Sequence, residues 1–486
     1  MLLSEILENV AFTAPAFTDC EIADIVYNSK LAGEGKLFVA LVGAFSDGHD
    51  YASQAYLAGC RVFLTEHAVD LPADALVLTV ANTRAALPVI SANFFGHPER
   101  EITVIGVTGT KGKTSVAGML GACLNGAGVK CGTIGTVGAV YGGRVYPTAN
   151  TTPESYECMR LFREMLNAGC KAVVMEVSSL GLKSHRVDGV RFAAAVFTNL
   201  SPDHIGGAEH KDFAEYAYWK KQLFTRCDAA VLNADDPFSE ELKALTDAPV
   251  TTFALYEPAD FTADQIESLR EPGFFGASFT CVHGGGKTAM RTAVPGLFSV
   301  SNALACVAVC DLMGVPMESI AAALADARVP GRSDCLRVNA DFDVVIDYAH
   351  NGQSFQSVLD TFCAYSHNRI ITVFGSVGDR AFLRREELGL ISGRRADLSV
   401  ITTDDPGYED PEKICREIAG FVEQAGGRYK IIVDRAEAVR YALGVAEKGD
   451  IVLLLGKGHE TAQKVKGEKV PYSDYEEVGK YFQKQG

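Results

Sequence analysis

Short apolar runs alternate with longer amphipathic stretches along most of the chain, the pattern of strands and helices in parallel α/β domains. Lys36-Leu-Phe-Val-Ala-Leu41 and Arg61-Val-Phe-Leu64 predict early strands. Further strands are predicted near 102–107, 171–177, 192–198 and 229–233. A later series is more regular: Val344-Val-Ile346, Ile370-Ile-Thr-Val-Phe374, Leu398-Ser-Val-Ile401, Ile431-Ile-Val433 and Ile451-Val-Leu-Leu-Leu455. Phe355, Val358, Leu359 and Phe362 fall on one face of an intervening helix. The alternation breaks at Phe95-Gly-His-Pro-Glu-Arg100 and, after a helical run over 303–327, at Val329-Pro-Gly-Arg332. The breaks divide the chain into expected domains 1–97, 98–330 and 331–486, the last a small open sheet of the dinucleotide-binding type.

Composition agrees with this division. A chain of 486 residues exceeds what one core supports and suggests about three domains. The N-terminus, Met1-Leu-Leu-Ser-Glu-Ile-Leu-Glu, carries acids where a signal peptide carries lysines. The long apolar run from Asn302 to Ala325 contains Asp311 and Glu318, so a membrane span is not expected and the cytosol is. The 13 cysteines are scattered without a Cys-x-x-Cys pair. Cys306 and Cys310 share a helix face, but no histidine lies near in sequence, so buried reduced thiols are expected. A net charge of −16 argues against a nucleic-acid partner. Any phosphate site must be built locally.

One segment supplies such a site. Ile102-Thr-Val-Ile-Gly-Val-Thr-Gly-Thr-Lys-Gly-Lys-Thr-Ser115 reads as buried strand, glycine turn and helix start, followed by Val116, Met119, Leu120, Cys123 and Leu124 at core spacing. N–H groups of such a turn and helix N-terminus wrap an anion. Lys113 can reach the outer phosphates and the Thr114 hydroxyl can hold Mg²⁺. Val107 stands where the longer phosphate-loop pattern has glycine, leaving the compact form Gly109-x-x-Gly-Lys-Thr114. His283-Gly-Gly-Gly-Lys-Thr288 is similar in composition but lies between two strand-like runs and predicts a hairpin turn. Phe374-Gly-Ser-Val-Gly-Asp-Arg380 follows a strand and alone is a weak anion or dinucleotide signal.

Other strand ends carry polar chemistry. Met175-Glu-Val-Ser-Ser-Leu-Gly-Leu-Lys-Ser-His-Arg186 puts Glu176 where a parallel sheet presents metal and phosphate ligands. Phe197-Thr-Asn-Leu-Ser-Pro-Asp-His204 does the same for the next strand; His204 reads equally as a hydrogen-bonded structural histidine or as a ligand.

Taken in order, Thr108–Thr114, Asn150-Thr-Thr-Pro-Glu154, Met175-Glu-Val-Ser-Ser179, His185-Arg186, Thr198–His204, Ser301-Asn302, Gly331-Arg332, Asp347-Tyr-Ala-His-Asn351 and Leu455-Gly-Lys-Gly-His-Glu460 resemble the motifs of the Mur ligases. Asn28-Ser-Lys30 and Asp47-Gly-His49 resemble the segment that receives the uridine end of the substrate, with Lys30 where arginine is usual. Within the family the chain resembles the branch that adds the third amino acid of the cell-wall peptide.

The resemblance implies an α/β fold of three domains: an N-terminal uridine-nucleotide-binding domain, a central parallel-sheet P-loop ATPase domain and a C-terminal Rossmann-like domain. It implies ATP on Gly109, Thr110, Lys111, Gly112, Lys113, Thr114 and Ser115, with Asn302 near the adenine and Arg332 and Asp347 completing the site. Mg²⁺ is implied on Thr114, Glu176, His204 and a carbamylated Lys220, which keeps the family's spacing from the Asp-His pair; the alternative for Trp219-Lys-Lys-Gln222 is a plain surface lysine. Ser29, Thr151, Thr152, Ser178 and Arg186 match positions that hold the UDP-N-acetylmuramoyl dipeptide, while Ser184 replaces a frequent glutamine. Arg380, Asp404, Asp405, Gly456 and Glu460 match those that receive the incoming amino acid. The implied catalytic set is Lys113, Glu176, His204 and Lys220, in a cytosolic monomer. In diaminopimelate-adding relatives an arginine follows the proline of an Asp-Asn-Pro-Arg-type motif. Here Thr403-Asp-Asp-Pro-Gly-Tyr-Glu-Asp410 puts Gly407 at that place, so L-lysine is expected as the acceptor, with ornithine and diaminopimelate as alternatives. A folate- or glutamate-adding ligase shares the later domains but not the uridine-type segment. A nucleotide switch leaves Gly-Lys-Gly-His-Glu unexplained, and a dinucleotide oxidoreductase needs a Gly-x-Gly-x-x-Gly turn that is not present.

Overall fold

The computed structural model describes residues 1–15, 17–43, 46–202, 205–206, 209–379 and 382–483. It forms two compact units, Met1–Thr262 with Leu304–Ile320, and Ala263–Ala303 with Ala321–Gly486.

The first unit holds two sheets. β1 (Asp24–Val26), β2 (Lys36–Val39), β3 (Val62–Thr65) and β4 (Leu76–Thr79) form a parallel sheet in chain order. Leu37, Val39, Leu64 and Leu78 face a core that includes Leu87 and Ile90 from the helix Thr83–Phe94. The alternate residues Phe38 and Phe63 pack on the other side, as two-residue periodicity dictates.

The second sheet is built from β5 (Thr103–Thr108), β6 (Cys131–Gly135), β7 (Gly138–Tyr141), β8 (Arg144–Tyr146), β9 (Ala172–Glu176), β10 (Ala194–Phe197), β11 (Ala230–Asn233) and β12 (Val250–Ala254). Its order is β12-β11-β10-β5-β9-β6-β7-β8, with β5 between β9 and β10 in parallel register, Val107 opposite both Glu176 and Val196. That register brings the carboxyl ends of three central strands to one edge, where α/β sheets place ligands. β5, β9 and β10 are almost wholly buried, which explains their legibility as continuous apolar runs.

In the second unit, β14 (Phe274–His283) and β15 (Gly286–Thr292), which follow β13 (Phe261–Glu271), make the hairpin expected around His283. β16 (Asp334–Leu336), β17 (Asp343–Asp347), β18 (Ile370–Phe374), β19 (Leu398–Ile401), β20 (Tyr429–Ile431) and β21 (Ile451–Leu455) form a sheet of order β16-β17-β21-β18-β19-β20, parallel except at β16. Buried clusters cover both faces, one with Phe355, Leu359, Phe362 and Ile418, the other with Val439, Ala442 and Leu443.

Two elements differ from their sequence expectation. The helical run over 303–327 is two helices, Leu297–Leu312 and Met317–Asp326, because Gly314 turns left-handed at φ +73° and Pro316 follows. The strand expected at Ile431–Val433 is β20, which runs from Tyr429 to Ile431 and pairs with Ser399–Ile401 of β19. Val433 instead accepts the Thr403 N–H and anchors the turn after β19. All the cysteines are free thiols, Cys20 and Cys363 half-buried and the others buried. Among the described residues no helix is long and apolar enough to cross a membrane.

Candidate active site

The phosphate loop leaves β5 at Thr108 and enters the helix Lys113–Gly126. Gly109 has φ +151°, and a Cβ there would lie 1.9 Å from Thr198 Oγ1; Gly112, at φ +86°, is the residue before the helix. Both conformations suit glycine and let main-chain N–H groups turn towards one centre. The end of β10 pins the loop from beneath. Asn199 O accepts from Thr110 N (2.9 Å), Asn199 Oδ1 accepts from Lys111 N (2.9 Å), and Thr198 Oγ1 donates to Lys111 O (2.6 Å). Thr198 and Asn199 were visible in sequence only as members of a motif.

Lys113 Nζ donates to Gly109 O (2.8 Å) and Thr110 O (3.0 Å). Lys220 comes from the helix Phe213–Lys221, started by the Asp212 cap, and its side chain enters the protein rather than solvent. It is 2% exposed, donates to Gly109 O (2.7 Å) and lies 4.6 Å from the Tyr216 ring centroid. The neighbouring Lys221 pairs with Glu241 near the surface instead, so the surface reading suits Lys221 and not Lys220. Tyr216, which the sequence did not single out, meets the Thr110 hydroxyl (3.1 Å).

Glu176, at the end of β9, is 1% exposed and gathers three partners. It accepts from Thr114 Oγ1 (3.0 Å), Thr136 N (2.8 Å) and Thr136 Oγ1 (3.2 Å). Gly135 makes room: a Cβ there would sit 2.1 Å from Glu176 Oε1. A carboxylate and a threonine hydroxyl converging here form a hard-oxygen donor set that fits Mg²⁺. Thr136 carried no sequence signal beyond its place after a strand.

Thr136 Oγ1 also meets Thr151 Oγ1 (3.2 Å), which joins this cluster to the next. Thr152 Oγ1 donates to Glu176 O (2.9 Å) and accepts from Ser178 N (2.9 Å). Arg186, buried, pairs with Glu154 (2.9 Å) and donates to Thr152 O (3.1 Å). Thus Thr114, Glu176, Thr151, Thr152, Ser178 and Arg186 form one connected group. Ser29 lies elsewhere, in the first sheet's domain, with its hydroxyl donating to Gln54 Oε1 (2.9 Å). Nearby, His49 Nε2 accepts from Glu66 N (2.8 Å), so Nδ1 carries the proton shared with Asp47. His204 lies outside the described residues, as does Arg380.

The second unit contains the remaining candidates. Asp347 is buried and accepts from Ser333 N and Ala349 N; burial raises its carboxyl above the usual range while Arg332 opposes the shift. The Arg332 guanidinium lies 5.3 Å from the Tyr348 ring centroid. Asn302 is 6% exposed, and its amide nitrogen meets no hydrogen-bond acceptor among the described residues.

At the carboxyl edge of the β17–β21–β18–β19 sheet, Asp404, Asp405, Gly456 and Glu460 come together around Lys457. Gly456 has φ +105°, and a Cβ there would lie 2.8 Å from Asp404 Oδ2. Asp404 is 5% exposed, and its carboxyl is raised by burial against the pull of Arg435 and Lys457. Arg435 is fully buried in a bidentate pair with Asp474 and donates to Leu455 O (3.0 Å), fixing the chain just before Gly456. Gly407, at φ +60°, packs against Asp379: a Cβ would lie 2.1 Å from its Oδ2, which also accepts from Tyr408 N.

Residues 107–310 match the Mur ligase middle domain and residues 331–458 match the Mur ligase glutamate ligase domain. The chain is 37% identical over 479 residues, covering 98% of both chains, to UDP-N-acetylmuramoyl-L-alanyl-D-glutamate–2,6-diaminopimelate ligase of Caldanaerobacter subterraneus subsp. tengcongensis. It is 38% identical over 464 residues, 93% of both chains, to the Geobacillus thermodenitrificans protein of the same name.

The chain belongs to the Mur ligase family.

A solved structure of a ligase with that name matches 97% of this chain and 98% of its own at 25% identity, with a TM-score of 0.67. This Mur ligase is therefore an α/β, ATP-dependent ligase of peptidoglycan synthesis.

Proposed function

We propose that this ligase joins L-lysine to UDP-N-acetylmuramoyl-L-alanyl-D-glutamate, making the third residue of the cell-wall peptide. The terminal glutamate carboxylate attacks the γ-phosphorus of ATP, breaking its bond to the bridging oxygen and giving an acyl phosphate and ADP. The acceptor amine, having lost a proton, then adds to the acyl carbon, and the tetrahedral intermediate collapses with loss of phosphate. In this reading residues 1–97 receive the UDP end, with Ser29 among the contacts, residues 98–330 hold ATP, and residues 331–486 hold the amino acid. The ligase would act in the cytosol as a monomer.

The Lys113 ammonium neutralises charge on the transferring phosphoryl group, and main-chain N–H groups of Gly109–Thr114 and the Ser115 N–H cradle the phosphates. Asn302, Arg332 and Asp347 are assigned to the nucleoside portion and its closure. Thr114 and Glu176, with His204 and a carbamylated Lys220, would hold Mg²⁺. When bound, Mg²⁺ supplies further charge neutralisation at the phosphates. Thr151, Thr152, Ser178 and Arg186 orient the sugar-peptide carboxylate, while Arg380, Asp404, Asp405, Gly456 and Glu460 orient the amino acid.

The choice of lysine rests on Gly407. A distal carboxylate calls for a forked arginine partner, and a glycine in left-handed conformation against Asp379 supplies neither a side chain nor room for one. The surrounding Asp404 and Asp405 suit an ammonium, Glu409 being paired with Arg385. A second reading, meso-diaminopimelate, is favoured by the names of the relatives. Phosphate release from ATP and the UDP-dipeptide, followed with one amino acid at a time, tests the choice. Lysine should support turnover; turnover with diaminopimelate and none with lysine would overturn it.

A further inference from the structure

Lys457 sits at the centre of the acidic cluster, and the reaction as derived gives it no task. Its side chain is 0% exposed. Its Nζ lies 2.5 Å from Glu460 Oε2, 2.8 Å from Asp405 Oδ1 and 3.7 Å from Asp404 Oδ1. Burial works against the charge, but Asp404 and Glu460 outweigh it and hold the amine above its ordinary pKa. An ammonium so enclosed is fixed in place.

The carboxylates it ties together are not equally enclosed. The Asp404 side chain is 6% exposed and Asp405 13%, whereas Glu460 is 31% exposed. Asp405 Oδ1 is committed to Lys457 and to Lys464 N (3.0 Å), and among the described residues Glu460 Oε1 accepts a single long bond, from Tyr348 OH (3.3 Å). The more exposed carboxylate, Glu460, thus faces out while its inner oxygen rests on the buried cation. Without Lys457, the carboxylates would repel one another and Asp404 would take up a proton, since a buried, unpaired acid neutralises.

We propose that Lys457 is a positioning residue for the amino-acid substrate: its buried ammonium locks Asp405 and Glu460 at the spacing that receives the acceptor's ammonium. This rests on the assignment of the amino acid to this cluster. The cluster retains more carboxylates than ammonium groups, so it still attracts a cation, and because Lys457 is internal it organises the acids without competing for the substrate.

The test is steady-state kinetics of Lys457→Met, with the acceptor the wild type prefers and with each co-substrate varied in turn. The KM for the amino acid should rise at least ~10-fold, with the KM for ATP and for the UDP-dipeptide within about twofold, the loss expected when a charge-assisted contact is misplaced. Lys457→Arg, which keeps the charge, should give an intermediate KM, and it is the variant measured if Lys457→Met does not accumulate as folded protein. An unchanged amino-acid KM in either variant would overturn the inference, as would a parallel rise in all three KM values. Because the wild type's own preferred acceptor is used, a preference for diaminopimelate would defeat the lysine reading without touching this one.

Discussion

At the phosphate loop the half-buried Lys113 and the buried Lys220 both donate to the Gly109 carbonyl; in the acidic cluster Lys457 rests on Asp405 and Glu460. A carbonyl is a dipole and a weaker partner for a cation than a phosphate carrying full negative charge. A carboxylate holds it with charge, and opening such a pair leaves an ion stranded in a poor solvent. The Lys457 arrangement is suited to a lysine that stays in place. Substitutions should separate the two regions.

The sharpest separation is expected beneath the acidic cluster. Asp474→Ala strands the fully buried Arg435, and should destabilise the fold by about 3–5 kcal/mol, read by chemical denaturation. A loss under 1 kcal/mol would mean that this cluster is held no more firmly than a surface pair. At the phosphate loop the expected cost is catalytic. Lys113→Ala should lower product formation by roughly 10²-fold or more while leaving the melting temperature near that of the wild type. Near-normal product formation would remove Lys113 from its assigned role. Next in size, Glu176→Gln keeps the shape of the link to Thr114 and Thr136 but removes its charge. The Mg²⁺ concentration for half-maximal activity should rise roughly 10-fold or more, and an unchanged Mg²⁺ titration would count against the metal assignment. Smallest of all, Arg416→Ala removes an exposed helix pair with Glu412 at 2.6 Å and should change stability by no more than about 0.5 kcal/mol.

Sequence made one of the two regions far more legible than the other. The phosphate loop is local: strand, turn and helix are contiguous, and each residue type has a steric or electrostatic reason to be there. β18, β19 and β21 were equally plain, because strands covered on both faces are unbroken apolar runs. Thr136 and Tyr216 were hidden, since a lone threonine after a strand and a lone tyrosine in a helix gain meaning only from what lies across the sheet. Lys220 was placed by resemblance, its spacing from the Asp-His pair setting it apart from Lys221, and the fold adds that one is buried and the other paired near the surface. The division of the run over 303–327 was written in Gly314 and Pro316, but the apolar residues on either side masked it. Lys457 was read as part of a motif, and its enclosure by acids distant in sequence could not be inferred from spacing.

The specificity assignment turns on Gly407, and a competition assay meets it directly. The purified ligase is given UDP-N-acetylmuramoyl-L-alanyl-D-glutamate, ATP and Mg²⁺ with equal concentrations of L-lysine, L-ornithine and meso-diaminopimelate, and the tripeptide products are separated by mass. The account predicts that the lysine product dominates; a predominance of the diaminopimelate product would contradict it.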